Sequence, residues 1–320
     1  MRGRVISVFK DLYRVSVGSS EVNAPITGKM IKNNEFPVVG DYVEVSDEGQ
    51  ITEIYPRKTL LSRKVAGKKI KEQPIVSNVD FIFIVTSLNK DFNIARLERY
   101  LTMVYESGAN PCFILTKADL DDEADEKAAR LEEIAFGVPI HVVSSYEDIG
   151  VDEVRGYLKD EATIGLIGSS GVGKSTLINK LMGEEIIKTR EVRAGDDKGK
   201  HTTTRREMFR VGGGYIIDTP GMRELQIWSG DTAETFYDIE EMALTCKFSD
   251  CTHRSEPGCA VRRAIERKEL TEERLNNYFK LKREVANMEN KQNLGHKFAE
   301  REKIKNMMGS LDMRRKINKR

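Results

Sequence analysis

The sequence has little net charge, few cysteines and no long apolar run. Its 52 lysines and arginines nearly balance its 51 aspartates and glutamates, which leaves a formal net charge of +1. No apolar stretch approaches the roughly 20 residues that a membrane-spanning helix needs, and the N-terminal segment MRGRVISVFKD is charged where a secretory signal peptide is apolar. We therefore expect a cytoplasmic protein with no membrane partner. In that reducing compartment, the four cysteines are not expected to form disulfides.

The composition nevertheless predicts a folded protein. With 320 residues and 39% hydrophobic content, the chain has room for two or three domains that each bury a core. Its charge is unevenly distributed: residues 119–133 are rich in acids, whereas residues 291–320 hold ten lysines or arginines against three acids. This basic arm predicts a salt-sensitive association with a phosphate-rich partner.

The segment of residues 164–177, IGLIGSSGVGKSTL, matches the phosphate-loop pattern G-x-x-x-x-G-K-[ST]. It predicts a buried strand, a glycine-rich turn and a helix that begins at Lys174. The turn would direct backbone N–H groups at phosphate oxygens, Lys174 would reach the β and γ phosphates, and the Ser175 hydroxyl would bind Mg²⁺. The predicted phosphate-binding residues are Gly168, Ser169, Ser170, Gly171, Val172, Gly173, Lys174, Ser175 and Thr176.

The N-terminal region predicts a small β-barrel. Segments at residues 2–17, 38–45 and 50–54 have strand character and no helical period. An OB-type barrel is the expected form, and such barrels often bind nucleic acid. A purely structural module fits the same strands. Residues 57–78 are basic and lack periodicity, and we interpret them as a linker or flexible lid.

Residues 79–144 alternate between apolar strand-length runs and helical patterns. This alternation predicts a parallel sheet with crossover helices. Buried strands are expected at residues 79–86, 111–115 and 139–144, and helices at residues 94–106 and 123–135.

The second of these strands runs into Thr116-Lys117-Ala118-Asp119, which resembles the [NT]-K-x-D signature by which GTPases recognise guanine. A carboxylate at Asp119 can accept hydrogen bonds from the guanine N1–H and exocyclic amine, groups that adenine does not present. Lys117 would lie along the base plane and brace the phosphate loop. Ser144 and Ser145 resemble the loop whose backbone N–H contacts the guanine O6.

Two further segments resemble the switches of GTPases. Residues 187–207 are polar and predict a mobile loop, and within it His201 is followed by Thr202, Thr203 and Thr204, as in switch I. We assign Thr203 to Mg²⁺, although the sequence does not distinguish it from its two neighbours. A predicted strand then ends in the D-x-x-G motif Asp218-Thr219-Pro220-Gly221. There Asp218 would hold Mg²⁺ through water, and the Gly221 N–H would meet the γ phosphate.

The order of these motifs is unusual. The base-recognition motif at residue 116 precedes the phosphate loop at residue 168, whereas ordinary small GTPases have the opposite order. The sequence therefore predicts a circularly permuted GTPase. In such a chain, the D-x-x-G segment leads directly into the C-terminal region.

A metal site is predicted in that C-terminal region. Cys246, Cys251, His253 and Cys259 lie within fourteen residues and provide the three thiolates and one imidazole of a structural tetrahedral Zn²⁺ site. The remaining cysteine, Cys112, lies in an apolar strand and is expected to be a core residue. His141 and His296 show no ligand pattern and are expected to be structural or exposed. Helices are predicted at residues 260–269 and 271–289.

Together these motifs resemble those of the ribosome small subunit-dependent GTPase A family (RsgA, also called YjeQ or YloQ), and the resemblance covers the whole chain. It implies an OB-type barrel at residues 1–65, a circularly permuted α/β P-loop GTPase domain at 66–230 and a zinc-binding helical domain with a basic tail at 231–320. It further implies a GTPase in late 30S ribosomal subunit maturation that the subunit stimulates, with Mg²⁺ bound alongside GTP. The barrel and zinc domain would contact 16S rRNA, and we expect a monomer that does not bind DNA.

The catalytic assignment is a hypothesis. Small GTPases place a water-orienting glutamine after D-x-x-G, but Met222 occupies that position and cannot orient water. We hypothesise that His201 orients the attacking water once the ribosome orders its loop, with Lys174 and Gly221 as the other catalytic groups. Alternatively, His201 only anchors the loop or rRNA.

Two other functions fit parts of the sequence. The chain could be an RNA-binding scaffold in which nucleotide only stabilises the fold. It could also be a P-loop ATPase or small-molecule kinase, in which case Asp119 would have no guanine to recognise.

Overall fold

The computed structural model describes residues 1–9, 12–64, 72–89, 91–187, 206–219, 227 and 231–317, with side chains to residue 294. Within these ranges, no helix combines the length and apolar character needed to cross a membrane.

The N-terminal strands form a small barrel, as expected. Strand β1 pairs antiparallel with β2 and β4, β2 pairs with β3, and β4 pairs with β5. A parallel bridge from Ile26 to Ile51 joins the end of β3 to β5, so five strands close into a ring. Alternate side chains of the strands fill its interior, together with Met30 of the helix. The elements are β1 (Arg2–Phe9), β2 (Leu12–Val17), β3 (Ser20–Pro25), α1 (Gly28–Asn33), β4 (Tyr42–Val45) and β5 (Ile51–Ile54).

The interpretation of residues 57–78 as a linker or lid is wrong. They contain a hairpin of β6 (Leu60–Lys64) and β7 (Glu72–Ser77), and the side chains of Leu61 and Ile75 are fully buried. The pairing skips Ile75 of β7, because Leu61 lies opposite Val76 and Ser62 lies opposite Pro74, which has no N–H to donate; this irregularity hides the strand pattern in the sequence.

The central region is a sheet with the strand order β10-β9-β8-β11-β13-β12. The first five strands are parallel and β12 is antiparallel to β13, which confirms the predicted crossover architecture. The strands are β8 (Phe81–Ser87), β9 (Asn110–Thr116), β10 (Ile140–Val143), β11 (Thr163–Ile167), β12 (Glu207–Val211) and β13 (Gly214–Asp218). The helices are α2 (Ile94–Ser107), α3 (Ala124–Glu132), α4 (Val151–Arg155) and α5 (Lys174–Met182), with a 3₁₀ turn at Ala118–Leu120.

The barrel and the central sheet share a hydrogen-bonded edge. Strand β12 pairs with β13 on one side and with β1 on the other, where Ser7 lies opposite Glu207. The two regions therefore form one continuous sheet of eleven strands. The barrel is attached to the strand that follows the predicted switch I segment.

The C-terminal region contains α6 (Tyr237–Ala243), α7 (Ala260–Glu266) and α8 (Glu272–Ile317), and α8 continues well beyond the predicted limit at residue 289. A buried arginine of α8 holds this region against α2. Arg274 is 5% exposed and its Nη1 donates to Glu98 Oε1 at 2.7 Å, while its Nη2 donates to Asp238 Oδ1 and to the Thr235 carbonyl, both at 2.8 Å. Burial raises the pKa of Glu98, and the neighbouring guanidinium opposes that rise.

Candidate functional site

The phosphate loop connects β11 to α5, and its backbone shape depends on glycine. Gly168 has a φ of 147°, and a Cβ atom added there would lie 2.1 Å from the Val85 carbonyl oxygen. Gly171 and Gly173 also have positive φ values, of 82° and 98°. This backbone curls between a strand and a helix N-terminus, which is the geometry that turns successive N–H groups toward an anion.

Lys174 and Asp218 are buried together beside this loop. Lys174 is 6% exposed and its Nζ donates to the Gly168 carbonyl at 2.8 Å and to the Ser169 carbonyl at 2.7 Å. Burial lowers the pKa of Lys174 to about 8, although the charges of Asp218 and Asp91 oppose the shift. Burial likewise raises the pKa of Asp218 to about 6, against the effect of Lys174. The site thus holds a cation and a carboxylate suited to a phosphate and its divalent cation.

The predicted base-recognition motif is joined to the phosphate loop by hydrogen bonds. The buried Thr116 hydroxyl donates to the Val172 carbonyl and approaches the Thr86 carbonyl at 3.2 Å. Lys117 adopts a left-handed backbone conformation, with φ of 62°, and its Nζ donates to the Gly171 carbonyl at 2.9 Å. The two motifs, which are far apart in sequence, therefore form one unit.

Asp119 has a partner that sequence reasoning did not find. The Ser144 hydroxyl donates to Asp119 Oδ1 at 2.6 Å and accepts from the Glu147 N–H at 3.1 Å. The backbone of Ser144 is bridged to Ile149, so its N–H is already paired at 3.0 Å. Ser144 therefore orients the carboxylate through its side chain. The predicted contact from a backbone N–H to the guanine O6 is therefore assigned to Ser145 alone.

A further acid near the phosphate loop was also missed. Asp91 follows β8 and pairs with Arg96 at 2.9 Å. Its negative charge raises the pKa of Lys174, against the larger effect of burial. The signal was available in principle, because parallel strands present their carboxyl ends at the same edge of a sheet, where ligands bind. Residues after β8 were therefore candidates by position alone.

The predicted switch residues lie largely outside the described residues. This holds for His201, Thr202, Thr203 and Thr204, and for Gly221 and Met222, so their roles stay predictions. The described end of β13 carries Asp218, and the Thr219 hydroxyl after it donates to the Leu166 carbonyl in β11. This bond fixes the second residue of the D-x-x-G motif against β11.

The four predicted metal ligands converge. One ligand atom from each of Cys246, Cys251, His253 and Cys259 lies within 4.8 Å of the others. The His253 Nδ1 is 3.7 Å from Cys246 Sγ and 3.6 Å from Cys259 Sγ, and the two sulfurs are 3.9 Å apart. With bonds of about 2.3 Å to sulfur and about 2.0 Å to nitrogen, a tetrahedral Zn²⁺ requires edges of roughly 3.5–3.8 Å. The donor set therefore fits zinc, as do the three distances among Cys246, His253 and Cys259.

Groups around the ligands hold them in place. The Ala260 N–H lies 3.3 Å from Cys246 Sγ, and the Arg262 N–H lies 3.4 Å from Cys259 Sγ, so backbone dipoles point at two sulfurs. Glu256, which was not predicted, accepts from the N–H groups of Thr252, Arg254 and Ser255. Hydrogen bonds from Thr252 lower the pKa of Glu256 to about 2, so this carboxylate stays ionised and organises the loop.

The other cysteine and histidine predictions have different outcomes. Cys112 is fully buried, and burial raises the pKa of its thiol to about 12, which agrees with a core role. His141 Nε2 lies within hydrogen-bonding distance, 3.0 Å, of the Tyr157 hydroxyl, which agrees with a structural role. The side chain of His296 lies outside the described residues.

Two family models match the chain. The RsgA GTPase model matches residues 54–228, and the ABC transporter model matches residues 151–318. Both cover residues 151–228, which contain the phosphate loop shared by many nucleotide-binding proteins. Only the first also covers Lys117 and Asp119.

The curated relatives agree with the first model. The chain is 43% identical to small ribosomal subunit biogenesis GTPase RsgA 2 of Lactiplantibacillus plantarum, over 99% of this chain and 92% of the relative. It is 42% identical to small ribosomal subunit biogenesis GTPase RsgA of Methanosarcina acetivorans, over 99% of this chain and 88% of the relative.

Two solved structures share the fold. YjeQ from Thermotoga maritima has a TM-score of 0.67 and 29% identity, and the match covers 89% of this chain and 98% of YjeQ. YloQ, described as a circularly permuted GTPase, has a TM-score of 0.62 and 26% identity, with coverage of 89% and 95%.

Proposed function

Because this chain belongs to the RsgA GTPase family, we propose that it hydrolyses GTP in the biogenesis of the small ribosomal subunit. The observation that carries this proposal is the junction of two motifs. Lys117 is bonded to the phosphate loop at Gly171, and Asp119 is oriented by Ser144. We take these contacts as support for a guanine-selective carboxylate at Asp119 that acts beside the phosphate loop.

Guanine selectivity follows from Asp119. Its carboxylate accepts two hydrogen bonds from guanine, and an adenine in the same place would leave it unpaired. Thr116 takes the position where asparagine is common, and its hydroxyl is used to hold the Val172 carbonyl. Thr116 thus shapes the pocket, and Asp119 reads the base.

The buried charges beside the phosphate loop would each contact the nucleotide or its metal ion. Lys174 would exchange the carbonyls of Gly168 and Ser169 for β and γ phosphate oxygens, and Ser175 and Asp218 would hold Mg²⁺ directly and through water. When bound with GTP, Mg²⁺ neutralises charge on the phosphates. His201 would orient the attacking water, Gly221 would contact the γ phosphate and Thr203 would complete the metal shell.

The zinc ion has a structural role in this proposal. Four protein ligands leave no open position for catalysis. Cys246 and Cys259 lie near the two ends of the loop that connects α6 to α7, so the metal would fix part of the region that follows the D-x-x-G segment. The barrel and this zinc region would contact 16S rRNA, and the protein would act in the cytoplasm as a monomer.

The test is GTP turnover with and without purified small ribosomal subunits. We expect slow intrinsic hydrolysis, strong stimulation by the subunit and loss of stimulated turnover in His201→Ala. Unchanged stimulated turnover in that variant would remove His201 from the mechanism. In a parallel competition, GTP should displace bound GDP and ATP should not. Equal displacement by ATP would refute the assignment of Asp119 and favour the ATPase or kinase alternative.

A further inference from the structure

Four residues lie side by side across the strands that join the barrel to the central sheet. Arg14 of β2 lies opposite Ser7 of β1, which in turn lies opposite Glu207 of β12. Glu207 also lies opposite Asp218 of β13. All three strand pairs are antiparallel, and residues directly opposite each other in such pairs project from the same face of a sheet. These four residues therefore form a row on one face, which we call the transverse row.

An ion pair spans the first three positions of the transverse row. Neighbouring strands lie about 4.8 Å apart, so the backbones of Arg14 and Glu207 are separated by about 10 Å. Arg14 Nη2 nevertheless donates to Glu207 Oε1, because the residue between them, Ser7, is small and fully buried. Among the described residues, no second ion pair joins a barrel strand to a strand of the central sheet.

The backbone pairing between the barrel and β12 is short. Strand β12 is in register with β13 at five positions, from Glu207 opposite Asp218 to Val211 opposite Gly214. Its register with β1 is defined only by Ser7 opposite Glu207. A ladder of this length contributes few backbone hydrogen bonds, so the attachment of β12 to the barrel depends on the side chain of Arg14 as well as on the backbone.

The transverse row lies close to groups that the proposed function uses. Asp218, at one end of the row, is the carboxylate that would hold Mg²⁺ through water. Glu207 follows Thr204, the last of the predicted switch I threonines, by three residues. Three residues of extended chain span at most about 11 Å. The start of β12 therefore lies between the barrel and the strand that carries Asp218, and a shift of Glu207 would move the point from which the predicted threonines extend.

We propose that Arg14 is a positioning residue for GTP hydrolysis, because through Glu207 it holds the start of β12 in register beside Asp218; this inference rests on the proposed function. Small displacements of catalytic groups lower turnover by large factors. GDP lacks the γ phosphate that the predicted switch residues would contact, so loss of the ion pair should lower turnover and leave GDP affinity unchanged. An ion pair that only fastens the barrel to the sheet would change neither.

The test compares Arg14→Gln and Glu207→Gln in the full chain, with GTP turnover measured alone and with saturating small ribosomal subunits. Partly exposed ion pairs stabilise modestly, so kcat should fall about two- to fivefold in both variants, while GDP affinity changes less than about 1.5-fold. The double variant should lose no more than either single variant, because both act through one contact. Glu21→Gln is the matched control: Glu21 Oε2 lies 3.5 Å from Arg14 Nη1, on β3, and its removal should change neither kcat nor GDP affinity.

Hydrogen–deuterium exchange supplies a second readout that does not depend on turnover. With a non-hydrolysable GTP analogue bound, the amides of residues 207–211 should exchange faster in Arg14→Gln and Glu207→Gln than in Glu21→Gln. Unchanged exchange, unchanged kcat or an equal fall of kcat in Glu21→Gln would overturn the proposal. Turnover that recovers at higher subunit concentration would also overturn it, since Arg14 would then act in docking. If subunits fail to stimulate the unsubstituted protein, the proposed function fails, whereas intrinsic turnover still decides the role of Arg14.

Discussion

Replacing Arg274 by methionine should destabilise the contact between the C-terminal region and α2. Methionine keeps much of the side-chain volume but removes the charge, so Glu98 stays buried, at 1% exposure, without its partner. Removing one member of a buried ion pair costs about 3–5 kcal/mol. We therefore expect the free energy of unfolding to fall by that amount at pH 7.

A separate calculation gives a loss in the free energy of unfolding of similar size. Without Arg274, Glu98 can avoid an unpaired buried charge only by binding a proton. Each pH unit above its unfolded pKa of about 4.3 costs about 1.4 kcal/mol, so the cost at pH 7 is about 3.7 kcal/mol. Because the folded variant keeps that proton to higher pH than the unfolded chain does, its stability falls as the pH rises. The deficit should therefore be up to about 2.7 kcal/mol smaller at pH 5 than at pH 7.

The assay is guanidinium denaturation followed by far-UV circular dichroism at both pH values. The control is the double variant Glu98→Gln with Arg274→Met, which removes the buried carboxylate of Glu98; the half-buried Asp238 loses its bond to Arg274 in both variants. It should recover most of the lost stability and much of the pH dependence. A deficit below about 1 kcal/mol at pH 7, or the same deficit at pH 5, would refute the buried-charge reasoning.

Three other substitutions test separate parts of the structure. Gly168→Ala should lower the free energy of unfolding by at least about 2 kcal/mol and abolish GDP binding, because its Cβ would meet the Val85 carbonyl oxygen at 2.1 Å. Gly171→Ala is the control and should lower it less, because no atom lies within 4 Å of the added Cβ. Equal losses of stability in calorimetry would contradict this reasoning. Cys251→Ser should lower the zinc content and the C-terminal helicity, while GDP affinity changes less than about twofold. If zinc content and GDP affinity fall together, the metal centre supports the nucleotide pocket. In the nucleotide-free protein, the Lys174 pKa of about 8 lies below its unfolded value, so the folded state binds fewer protons and this residue adds stability as pH rises above 8. From pH 8 to 9.5 the gain is about 1.6 kcal/mol relative to Lys174→Met, and denaturation curves whose difference does not change with pH would rule it out.

The sequence predicted those parts of the fold that depend on local pattern. The apolar runs at residues 79–86, 111–115 and 164–167 are long enough to identify buried parallel strands. The glycines of the phosphate loop and the four metal ligands carry their chemistry in their spacing. The order of the motifs then predicted the permuted topology, which agrees with the matched solved structures.

The features that were missed depend on distant partners. The hairpin at residues 60–77 is stabilised by packing on α2, and Pro74 interrupts its alternation. The bond from Ser144 to Asp119 joins residues on two neighbouring strand ends, and no local pattern marks it. The groove between β6 and α8 likewise brings Lys64 and Lys280 to one surface, although more than two hundred residues of sequence separate them.

The shared strand between barrel and central sheet limits how this protein can be shortened. A chain that began after residue 55 would lose β1 and leave one side of β12 with unpaired N–H and carbonyl groups. Such bare edges favour pairing between molecules, so the truncated protein should self-associate even if its nucleotide pocket remains folded.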